Sequence, residues 1–442
     1  MIDYKPIIIL DDDPTGTQTV HGVPILTEWS QAAIQKEVDN KTPLFFILTN
    51  SRAMIASEAD QLAFEIGQNI AKTGQNCWLI NRGDSTLRGH FPNEVEALAK
   101  GLGWLTPPLG AGGLTVLVPA FFEGNRFTKD DIHYLVENDN WIPVGETPYA
   151  KDNTFGYTSS HLKHWVEEKT KGRINANEVQ SISIEDLEKG NEKDILEIIE
   201  KTDKILIVNA LNYDHLTIFS KIIKQSSRNI IFRTAASFVK SFGNFEHKNL
   251  LQKEDLIKEK SANGGLIIVG SHVPKTTAQL TELLKTDIEA IVFDVYEFFM
   301  SDARSFVSKI ILKLDEILME HPDKIGRGGK NVVLYTSRNV VLGKNKDENL
   351  QLSTYVSNAL VTIVQNLKVR PAFLIAKGGI TSSDIATKSL KVKRAMVLGQ
   401  IEAGIPVWQL GEEAKFPNMS YIVFPGNVGT DDSLKNIYEI LK

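Results

Sequence analysis

Short, uninterrupted apolar runs recur along this chain, each breaking into a polar loop and then into a stretch with helical spacing. Ile7, Ile8, Ile9 and Leu10 open the series, and "PLFFILTNSRAM" (43–54), "NCWLINRGDSTLRG" (76–89) and "LTVLVPAFFEGNRFT" (114–128) repeat it. Between them, "ASEADQLAFEIGQNIAK" (56–72) and "FPNEVEALAKGLG" (91–103) place apolar residues at helical intervals. A run without alternation suits a strand buried on both faces, as in a parallel sheet covered by helices. Strand, loop and helix in repetition therefore predict an α/β fold, mostly parallel sheet flanked by helices. At 442 residues the chain exceeds what one core usually supports, so two domains are expected.

A later series of runs, "GLIIVGSHVPKTTAQL" (265–280), "NVVLYTSR" (331–338), "AFLIAKGGITSSDIA" (372–386), "RAMVLGQIEAGIPVWQL" (394–410) and "SYIVFPGNVGTDDSL" (420–434), predicts a second α/β domain. The polar, charged, glycine-marked stretch 241–265 separates the two series. The expected division is a first domain over 1–245, a linker over 246–262 and a second domain over 263–442.

Composition narrows the function classes. A net charge of −6 gives no basic footprint and argues against a dedicated nucleic-acid binder. The single cysteine, Cys77, can form no internal disulfide, and no Cys/His cluster has zinc spacing. No basic-then-apolar leader opens the chain, and no apolar run approaches the ~20 residues that span a bilayer, so a cytoplasmic protein without membrane partners is expected.

Chemistry concentrates at the ends of the apolar runs. Asp11, Asp12 and Asp13 follow the first run and lead into a Pro14-Thr15-Gly16 turn. Carboxylates leaving a buried strand are costly unless water, a cation or donors meet them. A solvated strand end with an Asp-Pro turn fits this stretch. So does a ligand crevice, which in open α/β sheets lies beyond the carboxyl ends of the strands. "GDSTLRGH" (83–90) packs Asp84, Ser85, Thr86 and Arg88 into a glycine-bounded loop. That inventory suits a small polyhydroxy acid, with Arg to clamp a carboxylate and Asp, Ser and Thr to satisfy hydroxyls. It also suits a plain helix cap. In the second half, "VGSH" (269–272), "KGGITSSD" (377–384), "LGQ" (398–400) and "PGNVGTDD" (425–432) set glycine turns after buried strands, where a phosphate can approach the backbone. Neither phosphate-loop nor dinucleotide fingerprint follows a strand, which counts against a nicotinamide dehydrogenase. "LGAGG" (109–113) and "GRGGK" (326–330) precede strands and read as connectors.

In chain order, "LDDDPTGTQ", "RGDSTLRGH", "VPAFFEGNRFT", "VGSHVPKTTAQL", "AKGGITSSDIA" and "FPGNVGTDDSL" resemble the four-carbon acid sugar kinase family of threonate, erythronate and 3-oxo-tetronate kinases. The resemblance covers nearly the whole chain. It implies an N-terminal domain that binds the sugar acid, a C-terminal domain that binds ATP, and an active site in the cleft between them. The γ-phosphoryl group would pass to the acid's terminal hydroxyl. Asp12, Asp13, Thr15 and Gly16 match the family's D-D-x-T-G turn, and Asp84 to Gly89 match its D-S-T-L-R-G loop. Gly270 and Ser271 match a G-S turn, and Gly378, Gly379 and Thr381 match G-G-x-T. His90, Thr17 and the Pro425-Gly426-Asn427-Val428-Gly429 stretch depart from the pattern.

On this resemblance one of Asp12, Asp13 and Asp84 is the base. Thr15, Gly16, Ser85, Thr86 and Arg88 bind the acid, with Arg88 clamping its carboxylate. The glycine turns, with Gly399, Gly426, Asn427, Val428 and Gly429 among them, hold ATP. Mg²⁺ would bridge the phosphates with few protein ligands, left unnamed. Asp11, facing the other way along its strand, is expected to be a bystander. A catalytically silent carboxylate sensor on the same scaffold is the alternative. Partners are expected to be small molecules, and a homo-oligomer is compatible with the sequence.

Overall fold

The computed structural model describes residues 4–104, 113–257, 262–319, 328–338 and 346–442; of the connectors read at 109–113 and 326–330, residues 109–112 and 326–327 lie outside them. The chain divides into two compact units, Met1–His247 and Lys248–Lys442.

The first unit is built on an eight-stranded sheet. Its strands are β1 (Ile7–Asp11), β2 (Val23–Leu26), β3 (Leu44–Leu48), β4 (Trp78–Arg82) and β5 (Leu114–Val118), with β9 (Gln180–Ile182), β10 (Ile205–Val208) and β11 (Ile230–Thr234). They lie in the order β2-β3-β1-β4-β11-β5-β10-β9, and every neighbouring pair is parallel. Ile8, Ile9 and Leu10 are each at most 1% exposed, as the apolar run requires of a strand covered on both faces. Burying each such side chain stabilises by roughly 1.5–3 kcal/mol. Helices Ala56–Ala71 and Asn93–Gly101 pack against each other, and their apolar stripes join the core.

Between β5 and β9 the chain forms a separate antiparallel sheet of β6 (Arg126–Lys129), β7 (Ile132–Glu137) and β8 (Asn140–Pro143). Two-residue turns join these strands, with positive φ at Asp130 and Asp131 (52° and 62°) and at Asn138 and Asp139 (49° and 62°). Such turns match the twist of a hairpin and favour Asn and Asp.

The second unit has seven strands: β12 (Leu266–Val269), β13 (Glu289–Phe293), β14 (Val332–Thr336), β15 (Leu374–Lys377), β16 (Arg394–Glu402), β17 (Ile405–Leu410) and β18 (Ser420–Phe424). The order β13-β14-β12-β15-β18 is parallel, and β17 and β16 extend it antiparallel. The α/β expectation holds in both units. In the described part of 246–262, Leu251 and Leu256 are 3% and 5% exposed within the second unit's core. The Leu251 N–H donates to Gln400 O at 2.8 Å, so this stretch is built into the second unit rather than spanning freely. Among the described residues no helix is long and apolar enough to cross a membrane.

Candidate functional site

In the first unit the chain leaves β1 towards β2 and β3 on one side, then adds β4 on the other. This reversal of strand order opens a crevice at the carboxyl ends of β1, β3 and β4, the place where such sheets bind ligands. The three strand ends deliver Asp11–Asp13, Ser51–Arg52 and Arg82–Asp84. Asp13 caps the short helix Pro14–Thr17; its Oδ1 accepts the Thr15 amide at 2.8 Å and the Thr15 hydroxyl.

Arg52, which carries no motif signal, is the centre of the group. Its Nη2 and Nε donate to the two oxygens of Asp12 at 2.6 and 3.2 Å. Its Nη1 lies 3.7 Å from both Asp13 Oδ2 and Asp84 Oδ1. Burial pushes the carboxyls of Asp13 and Asp84 upward, but Arg52, then Thr15 for the first and Arg88 for the second, outweigh it and hold both below the usual range. Both are therefore ionised at neutral pH.

The Asp84–Gly89 loop is shaped by its carbonyls. Ser85 O accepts from His133 Nε2 at 2.8 Å, Thr86 O from Tyr157 Oη at 2.6 Å, and Arg88 O from Arg233 Nη2 at 3.4 Å. Since Ser85 O can only accept, His133 carries its proton on Nε2, and its Nδ1 takes the Thr128 hydroxyl at 2.9 Å. Burial holds that imidazole neutral, with its pKa down at about 4. Asp84 Oδ2 accepts from the Thr86 hydroxyl and from Arg88 Nε, the latter at 2.8 Å. The Arg88 guanidinium stands 5.1 Å from the Tyr149 ring centre and keeps 24% of its side chain exposed. His90 is buried and shares its Nε2 between the carbonyls of Ser51 and Met54 at 3.1 Å each, tying this loop to the turn that carries Arg52. The structure thus brings Asp12, Asp13, Thr15, Asp84, Thr86 and Arg88 into one connected group.

Asp11 stands apart from this group, and it is buried rather than solvated. Asp11 is 0% exposed, paired with Arg82 Nη1 at 3.1 Å, and its Oδ2 has no protein partner. That oxygen faces Gly16, where a Cβ would come within 1.9 Å of it, so the turn closes only over glycine. Facing away from the crevice means facing into the core here, not into solvent. Burial pushes the Asp11 carboxyl up to about 7 against the pull of Arg82. A carboxyl whose pKa is raised by folding contributes stability that is full below its unfolded pKa of about 4 and lost as pH rises through about 7. Asp11→Asn is therefore expected to flatten the decline in stability between pH 4 and 7. Parallel urea-denaturation pH profiles for the two proteins would assign Asp11 an ordinary carboxyl.

In the second unit the strand order reverses between β12 and β15, and their ends place Gly270–Ser271 beside Gly378–Thr381. A Cβ on Gly270 would meet Thr381 Oγ1 at 2.5 Å, and Gly378 has φ +120°. Gly379 opens the helix Gly379–Asp384. Gly426 follows β18 and lies against Ser271, 3.5 Å from Ser271 Oγ to where a Gly426 Cβ would stand. Thr276 Oγ1 donates to Gly426 O at 3.1 Å, and Gln279 Nε2 donates to Val428 O at 2.9 Å, so the Gly426–Gly429 turn is docked on the helix Pro274–Leu283. Asn427 is exposed and Gly429 packs on Ser433. Gly399 is not brought into this group: it lies inside β16 at a register shift, against Lys248 and Leu251. An apolar run ending in glycine marks a strand end or a bulge, and here it is the bulge.

The family described as sugar-binding N-terminal domain matches residues 7–242, and the one described as nucleotide-binding C-terminal domain matches 266–434. A Haemophilus influenzae protein of known structure is 14% identical, with TM-score 0.67 over 98% of this chain and 100% of that one. A Salmonella typhimurium protein, provisionally named a tRNA synthase, is 15% identical, with TM-score 0.70 over 98% of each chain. At these identities the likeness is one of fold. A search of curated proteins found no match. Matched in order over both units, the chain belongs to the family that joins a sugar-binding N-terminal domain to a nucleotide-binding C-terminal domain.

Proposed function

We propose that the chain is an ATP-dependent kinase that phosphorylates the terminal hydroxyl of a four-carbon sugar acid of the threonate, erythronate or 3-oxo-tetronate type. The observation that carries this reading is the connected group of ionised carboxylates, hydroxyls and a partly exposed arginine at the switch point of the sugar-binding unit. A nucleotide-binding unit follows it, with glycine turns at its own switch point. Phosphoryl transfer is mostly positioning and electrostatics, and an ionised carboxylate that orients the attacking hydroxyl suffices as base.

Asp13 is the base in this account. Asp12 is given to Arg52, and Asp84 is bonded by the Arg88 guanidinium at 2.8 Å and is 12% exposed, whereas among the described residues Asp13 takes its only close donors from Thr15, meets Arg52 at 3.7 Å as Asp84 does, and is 19% exposed. Among the described residues no group of three or more His, Cys, Asp or Glu is arranged to hold a metal ion, and Asp12, Asp13 and Asp84 converge on a guanidinium instead. The chain builds no resident cation site from them; Mg²⁺ fits this account as a counter-ion arriving with the nucleotide.

The test is ADP release that requires both ATP and a four-carbon sugar acid; ligand-induced stabilisation without ADP would favour the silent sensor. Arg88 refines it. Lysine keeps the charge and loses the fork, so Arg88→Lys is expected to raise the acid's KM at least tenfold, about 1.4 kcal/mol, with ATP KM little changed. An unchanged acid KM would remove Arg88 from the clamp.

A further inference from the structure

Lys377 ends β15 immediately before Gly378 and is 0% exposed. Its ammonium donates to Pro425 O and, at 3.2 Å, to Gly426 O, and it stands 3.9 Å from the centre of the Phe424 ring. Among the described residues it forms no ion pair; burial first, and then the like charge of Lys275, which itself pairs with Asp431 at 3.2 Å, push its pKa down to about 7. Burying an ammonium without a carboxylate is expensive, and two carbonyls and an aromatic face offset only part of that cost. What the arrangement secures is geometry. The same Gly426 carbonyl accepts from Lys377 and from Thr276, so the turn after β18 is fastened to the end of β15, where the Gly378–Thr381 turn begins. The counter-charge absent from the protein is one that a polyanion at these turns would supply.

We infer that Lys377 is a positioning residue for the polyphosphate of a nucleoside di- or triphosphate: it holds the Gly426 turn to the Gly378 turn and stands behind them as the cation that a bound polyphosphate would pair with. This rests on the nucleotide half of the proposed function. It assigns a role to a lysine that otherwise reads as the last residue of a buried strand.

The experiment is calorimetric titration of the full chain with ADP and, separately, with adenosine, which lacks phosphates. Lys377→Met is expected to raise the ADP Kd at least tenfold and leave the adenosine Kd within twofold. Lys377→Gln keeps N–H donors for the two carbonyls but not the charge, and is expected to weaken ADP at least fivefold. An unchanged ADP Kd in a folded variant, or equal weakening of ADP and adenosine, overturns the inference. If neither variant folds, hydrogen exchange on the wild type decides. ADP, and not adenosine, should slow exchange over 377–381 and 425–429 together, and protection of only one segment or of neither overturns it. Wild-type protein that binds neither ADP nor ATP would overturn the kinase reading as well; normal ADP binding with indifferent variants removes only the role of Lys377.

Discussion

Replacing Arg52 with methionine is expected to cost about 3 kcal/mol of stability at pH 7, the low end of what breaking a buried ion pair costs, because Arg82 remains 3.6 Å from Asp12. Asp12 is 2% exposed and would lose its paired donors, while Asp13 and Asp84 would lose the charge that lets them ionise side by side. Acid binding should be abolished along with the geometry. Arg52→Lys is expected to recover less than half of the stability, since an ammonium cannot make the two-point contact with Asp12. Urea denaturation checks both. A loss below about 1 kcal/mol for Arg52→Met, the range of a surface pair, would demote Arg52 to the periphery.

Asp13→Asn is expected to lower kcat and kcat/KM together by roughly 10²-fold or more, with a stability change under about 1 kcal/mol. Asparagine caps a helix as well as aspartate does, so the turn Pro14–Thr17 survives while the charge that orients the hydroxyl is lost. Asp12→Asn should behave in the opposite sense, losing stability first because its partner is the buried face of Arg52. Steady-state kinetics beside thermal melts separate the two. Turnover of Asp13→Asn within threefold of wild type would transfer the base to Asp84 or dismiss the carboxylate base altogether.

Much of this site was legible because its motifs sit where buried strands end, a position that apolar runs reveal by themselves. Asp12, Asp13, Asp84 and Arg88 were found in that way. Arg52 was not, since one arginine in a Ser-Arg-Ala turn has no local signature. Arg82 and Arg233 do carry a signal: each follows three or more mostly apolar residues within a fully buried strand, in "WLINR" and "IIFRT". An arginine in a strand buried on both faces demands a carboxylate partner, and Asp11 and Glu94 answer it at 3.1 and 3.8 Å. Strand direction places Asp11 away from the crevice but leaves its burial unread, because alternation says which way a side chain points and not whether water is there. The β6–β8 sheet does have a signal in Asp130-Asp131 and Asn138-Asp139, which are hairpin turn pairs, while Gly399 reads as a strand end where the backbone bulges within β16.

The central claim is the transfer of a phosphoryl group to a terminal carbon oxygen, and the product reports it most directly. Proton-coupled ³¹P NMR of a reaction containing the full chain, ATP, Mg²⁺ and a four-carbon sugar acid should show a new phosphomonoester split into a triplet by the two protons of a terminal CH₂–O–P group. A doublet, from phosphate on an internal CH–O oxygen, would contradict the regiochemistry. With all three acid types tried, inorganic phosphate alone, or no new signal at all, would contradict the kinase.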